Sequence, residues 1–233
     1  DDPLRILRFF RFYSEYDFEF EFSLLNFMTE NKKLLREVAT ERIIYELRKI
    51  FRNKRSLKAL LLINEIKLFD WLQKYEDLSA DYMMNLNCNN FTSKEVENFL
   101  PIYYLSEVLE ESAIKKLKFS RQEISNSKVI KKWKKKLINK SINKFTELER
   151  FKLHSQMENI LPAFIFYLPF ECQSDWLTRW RDRSDKLFHP RHLINGNTLK
   201  RHLELSDGPL LGDLLNYLSK EYAFSRINNF DEA

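Results

Sequence analysis

"DDPLRILRFFRF", residues 1–12, is the stretch from which the rest of the chain is read. The Asp2 side chain can cap free backbone N–H groups, and Pro3 suits the first helical position, where a missing N–H breaks no intrahelical bond. The pattern predicts a helix from Pro3 to Tyr13, with Leu4, Ile6, Leu7, Phe9, Phe10 and Phe12 as its apolar surface. Arg5, Arg8 and Arg11 follow at three-residue intervals and share one helical face. An arginine row over so much apolar surface is either a solvated stripe or a set of donors held for phosphates and bases.

Composition extends the helical reading to the whole chain. The 233 residues are 44% hydrophobic and 31% charged, which suits one or two globular domains. The 3 glycines, Gly196, Gly208 and Gly212, all lie near the end, so the first 195 residues lack the residue that tight hairpins and phosphate loops require. The expected fold class is all-α, with 20 phenylalanines filling the spaces between helices. The 2 cysteines, Cys88 and Cys172, have no metal-ligand spacing around them, and a reducing, cytoplasmic location is expected. No run approaches the roughly 18 apolar residues of a membrane span. The chain starts without a methionine, at the entrance to a helix, and is expected to be cut from something longer.

Further along, "YDFEFEF" (Tyr16 to Phe22) alternates like a strand but has no pairing partner, and is read as an extended connection. "VATERIIYELRKIF" (Val38 to Phe51) has helical spacing with Thr40 as a cap, and "SLKALLLINEIKLFDWLQKY" reads as two short helices broken around Asn64. Thr92 or Ser93 begins another helix, and "SNS" (Ser125 to Ser127) is the next N-terminal signal. Trp176, Leu177, Trp180 and Leu187 are placed on one face. Near the end, Asn197 or Thr198 caps a short helix, and Asp207-Gly208-Pro209 punctuates before a helix from Leu210 to Tyr222.

Two basic regions stand out. In "KVIKKWKKKLINKSINK", Val129, Ile130, Trp133, Leu137 and Ile138 take one side of a helix while Lys128, Lys131, Lys132, Lys135 and Lys136 take the other. Arg179, Arg181 and Arg183 surround the tryptophan-bearing segment. Each region is either a solvated face or a surface for a polyanion, whose phosphates release counterions on neutralisation. No glycine-rich phosphate cradle, HExxH, paired CxxC or GxSxG occurs, and the 4 histidines, His154, His189, His192 and His202, have no carboxylate at ligand spacing. The chain holds no self-sufficient active site by pattern.

At i, i+3, Asp2 and Arg5 place an acceptor beside a fork of donors. Adenine and cytosine both show an amino donor next to a ring-nitrogen acceptor, and guanine and uracil reverse that order. The pair therefore suits A and C, with a mismatch costing on the order of 1–3 kcal/mol. The competing reading is a capping aspartate with a local ion pair worth ~0.5 kcal/mol.

The opening stretch resembles the EDxxRxxRxxRF signature of class II CCA-adding tRNA nucleotidyltransferases and bacterial poly(A) polymerases. "ATERIIYELRKI" is similar to that family's ERI-x-x-EL-x-K segment, and "LINGNTLKRHLELSDGPLLGDLLNYLSKEYAFSRINNFDEA" to its NG-x-x-L … GP-x-LG-x-x-L … N-x-x-EA pattern. The middle, from about Ser56 to Leu187, shows little that is specific. Asp1 stands where the family usually has glutamate, Phe9 and Phe10 replace smaller residues, and no HD dipeptide occurs.

The resemblance implies a multi-helical, elongated neck, body and tail, divided at 1–55, 56–187 and 188–233, with the β-containing catalytic head absent and this chain inactive alone. It implies that Asp2 and Arg5 select CTP and then ATP, that Arg8 and Arg11 contact or orient the nucleotide or, for Arg11, serve structure, and that Glu41, Arg42 and Glu46 stabilise the neck. The implied partner is tRNA, with Lys128, Lys131, Lys132, Lys135, Lys136, Arg179 and Arg183 as backbone contacts. The implied cofactor is Mg²⁺ on the missing head, where a metal pair activates the 3′-hydroxyl and stabilises pyrophosphate. A poly(A) polymerase, a CC-only or A-only specialist, and a stand-alone RNA-binding module remain the alternatives.

Overall fold

The structure, a computed structural model, describes residues 2–16, 18–53, 55–73, 86–204, 208–229 and 232. Among them no strand occurs, and the all-α expectation holds. No described helix is long and apolar enough to cross a membrane. The chain condenses into two compact units, one of residues 1–134 and 162–167 and the other of residues 135–161 and 168–233. This division differs from the three segments 1–55, 56–187 and 188–233.

In the first unit, α1 (Arg5–Tyr16) packs on α3 (Thr40–Arg52) and α4 (Ser56–Glu65), while α2 (Phe22–Asn31) leads into a 3₁₀ turn, Lys32–Glu37. Leu7 and Phe10 of α1 and Ile43, Leu47 and Ile50 of α3 are fully buried, one stripe per helix at 3.6-residue spacing. α5 (Ser93–Val108) packs on α3, followed by α6 (Glu111–Lys116) and α7 (Arg121–Asn139), whose residues through Lys134 belong to this unit. Phe166, beyond the short helix α9 (Leu161–Ile165), stacks on Phe91 at 4.1 Å between ring centroids.

Several helix boundaries differ from expectation for local reasons. α1 starts at Arg5 because Asp2 and Pro3 form a turn, with Arg5 N–H donating to Asp2 O and Ile6 N–H to Pro3 O. Thr40 is the first residue of α3 rather than its cap, since Ala39 occupies the cap position without a side-chain bond. Among the described residues up to Gln73, no second helix follows Asn64. Lys67 adopts φ 50°, and Leu68 N–H bonds back to Ile63 O, which closes α4 and turns residues 66–73 into successive turns. The Lys74 and Tyr75 part of that reading lies outside the described residues. Ser125–Ser127 lies inside α7, which is capped instead by Ser120 exchanging bonds with Glu123. Thr92 does cap α5, through a reciprocal bond pair with Glu95.

The second unit contains α8 (Glu147–Met157), α10 (Phe170–Arg181), α11 (Gly196–His202) and α12 (Pro209–Ala223), and α12 packs on both α8 and α11. Asn195, not Asn197 or Thr198, caps α11 by accepting from Thr198 N–H, and Gly208-Pro209 starts α12 as expected. Leu177 and Trp180 are buried on α10, but Leu187 reaches the same core from beyond the helix end.

His154 of α8 is enclosed in this core, 4.1 Å from the Phe188 ring and 5.2 Å from Trp176, with its Nδ1 unpartnered. Burial, reinforced by the nearby Arg179 charge, pushes its pKa down from 6.5 to about 3. The unfolded chain therefore binds a proton that the folded chain refuses, and the stability due to the neutral ring is complete above pH 6.5 and lost as pH falls toward 3. Unfolding free energy is expected to fall from pH 6.5 to about 4.5, by up to about 1.4 kcal/mol per pH unit. His154→Phe should flatten that slope in urea titrations, and an unchanged slope would place the proton elsewhere.

Candidate functional site

The arginine row divides according to what α3 offers it. Arg11 is buried, its Nη1 donates to Glu46 Oε2 at 2.9 Å, and its guanidinium lies 4.4 Å from the Phe12 ring. Arg8 is half-exposed, with Nε 3.9 Å from Glu46 Oε1. Arg5 is exposed, and among the described residues its guanidinium has no hydrogen-bonding or ionic partner. The three therefore pass from anchored to free along one helix. Arg11 belongs to the packing, and Arg5 and Arg8 face outward.

Asp2 lies just before α1. Its Oδ1 accepts from Leu4 N–H at 3.1 Å and its Oδ2 from Arg42 Nη2 at 2.6 Å. Together the Leu4 amide and the Arg42 guanidinium hold the carboxyl below the usual range, which keeps it ionised and acceptor-only. The pairing of Asp2 with Arg42 across 40 positions was not readable from local spacing, whereas the cap was. Of the three residues expected to brace this region, Arg42 and Glu46 bond to the opening segment. The carboxyl of Glu41 is instead held low chiefly by its own backbone N–H, with Lys118 adding to it.

The alternation in "YDFEFEF" finds its reason here. Phe18 and Phe20, two residues apart on an extended segment, point the same way and stand edge-on against Phe9 and Tyr13 of α1, with ring centroids 5.1–5.8 Å apart. The period of a strand is used to pack on a helix.

The basic residues also separate. Lys128 and Lys132 are exposed in the first unit, and Lys135 is exposed in the second. Lys131 instead bonds Leu109 O at 2.7 Å, and burial draws its pKa down. Lys136 bonds Glu149 at 3.2 Å. The carboxyl of Glu149 is held at about 2, first by Lys140 and then by the Thr146 amide. Ile130 and Trp133 are buried as expected, but Ile138 is exposed. Arg179 pairs with Asp185 at 2.8 Å and covers the Phe188 ring, so much of its donor capacity is used within the unit. Arg183 is exposed, beside the Trp180 ring and 3.3 Å from His189 Nδ1.

Among the described residues no group of three or more His, Cys, Asp or Glu could hold a metal ion.

Residues 17–77 match the family described as "Probable RNA and SrmB- binding site of polymerase A". The whole chain aligns with a CC-adding tRNA nucleotidyltransferase from Synechocystis sp., at 24% identity over 62% of that protein. It also aligns throughout with a CCA-adding enzyme from Ligilactobacillus salivarius, at 25% identity over 58% of that protein. In fold, a CCA-adding enzyme in complex with ATP superposes on 100% of this chain with a TM-score of 0.66 at 20% identity, using 59% of its own length. The chain is thus similar in sequence to part of these nucleotidyltransferases and shares the fold of the helical part of a CCA-adding enzyme. It spans about 60% of the length of these relatives.

Glu46 is a buried carboxylate that meets both Arg8 and Arg11. Glu46→Ala is expected to leave the Arg11 charge uncompensated and to cost about 3–5 kcal/mol of stability. Urea unfolding followed by helical circular dichroism measures this, and a loss below about 1 kcal/mol would mean that Glu15, 3.7 Å away, suffices as a partner.

Proposed function

We propose that this chain is the base-selecting and tRNA-binding part of an enzyme that adds C and A to tRNA 3′ ends, with CTP and ATP as substrates and the cytoplasm as its location. The observation that supports this most directly is the opening pair: an ionised, doubly held Asp2 three residues before an Arg5 whose donors are open. Each Asp2 oxygen uses one lone pair internally and retains another, so the carboxylate can accept from an exocyclic amino group. Arg5 can donate to the neighbouring ring nitrogen. Guanine and uracil would face donor with donor and acceptor with acceptor. Arg8 adds positive charge on the same face, while Arg11 acts through packing. In this reading the Mg²⁺ and the carboxylates that hold it come from elsewhere in the complete gene product, and this region alone does not transfer nucleotides.

The residues we assign to RNA backbone contact are Lys128, Lys132, Lys135 and Arg183, because they are exposed, whereas Lys131, Lys136 and Arg179 are partly covered. A second reading, addition of CC only, is favoured by the Synechocystis relative, which is named for that activity. Sequencing the nucleotides that the complete gene product adds to tRNA distinguishes the two.

In the complete gene product, Asp2→Ala and Arg5→Ala are each expected to lower kcat/KM discrimination of CTP over UTP and of ATP over GTP by about tenfold or more. Unchanged discrimination in both variants would return the pair to capping alone. The double variant Lys128→Glu with Lys132→Glu should weaken tRNA binding and shallow its salt dependence, measured by filter binding over a salt series. Equal affinity and slope would leave these lysines as a solvated face.

A further inference from the structure

Asp2 and Arg5 are close enough in sequence to neutralise each other, yet they do not pair. The Asp2 carboxylate turns instead to Arg42 on α3, with Oδ2 and Nη2 2.6 Å apart, while its other oxygen accepts from Leu4 N–H. The Arg5 guanidinium is left exposed and without a described partner. We propose that Arg42 is a positioning residue for base selection: by holding Asp2 from the neighbouring helix it keeps the carboxylate off Arg5 and leaves both reading groups open to one base. This rests on the base-selecting role proposed above.

The physical argument concerns competition. An aspartate and an arginine three residues apart at a helix start are within reach of each other, and a charge-assisted bond between them would occupy the groups that a base must meet. A nucleotide would then bind only the fraction of molecules in which the pair is open, and its apparent affinity would fall by that fraction. Arg42 removes the competition without using Arg5. It also holds the carboxylate by the oxygen that the Leu4 amide does not use, so less motion is lost when the base arrives. The arrangement depends on α1 and α3 being locked in register, which the buried Glu46 provides through Arg11.

The test is steady-state kinetics of the complete gene product carrying Arg42→Gln, with all four nucleoside triphosphates. KM for CTP and ATP is expected to rise about three- to tenfold with a smaller change in kcat, and GTP and UTP to change little, so that discrimination narrows. In an Arg5→Ala background, where no competing pair can form, the same substitution should have little further effect. A uniform fall in kcat/KM for all four nucleotides, no change at all, or an equal effect with and without Arg5 would overturn the proposal. Arg42→Lys, which keeps the charge and loses the planar fork, serves if Arg42→Gln does not fold. A rise in KM that disappears with Arg5→Ala supports the proposal, and a rise that persists overturns it. Asp2→Ala separates the two levels of argument. If it leaves discrimination intact, base selection by this pair falls, and this proposal with it. If it lowers discrimination while Arg42→Gln does not, only the positioning role falls.

Discussion

A single buried carboxylate sets the geometry on which the opening helix depends. Glu46, almost wholly enclosed, receives Arg11 directly and lies near Arg8, so two members of the arginine row are referenced to one point on α3. Buried ion pairs add little net stability over an apolar pair, because desolvation offsets most of the attraction. Their value here is specificity. Apolar stripes such as Leu7 and Phe10 against Ile43 and Leu47 can slide along one another at modest cost, whereas a buried arginine cannot move a turn without losing its counter-charge. Fixing that register also fixes where Arg42 stands relative to Asp2.

The helical fold was legible because its signals are local. The absence of glycine before Gly196, the Asp2-Pro3 start, the Thr92 cap and the Gly208-Pro209 break each act within a few residues, and the structure uses all of them. The misplaced boundaries arose where two local signals compete. Ser120 and Ser125 both offer a helix cap, but only Ser120 has a glutamate three residues on to complete the reciprocal bonds. Lys67 adopts a left-handed conformation without being glycine or asparagine, so no residue type announced the end of α4.

At the candidate site, charge could be counted from sequence but its availability could not. Lys131 and Lys132 are adjacent and chemically identical, yet one is half-buried and bonds the Leu109 carbonyl while the other is exposed. Arg5 and Arg11 differ just as much. The difference lies in partners far along the chain, in Glu46 for Arg11 and Arg42 for Asp2, and those pairings exist only once α1 and α3 have met. Even the aromatic alternation before α2 is explained by a neighbour, the α1 face bearing Phe9 and Tyr13, rather than by its own period.

That aromatic segment also bears on pairing between molecules. A short stretch with strand periodicity and two phenylalanines is the kind of sequence that templates edge-to-edge pairing between molecules. Engaging Phe18 and Phe20 against α1 withdraws one face from such pairing, and the exposed Glu19 and Glu21 between and after them put like charges opposite each other in any in-register stack of copies. The same contacts that seat the opening helix thus leave this segment one face fewer for edge-to-edge pairing.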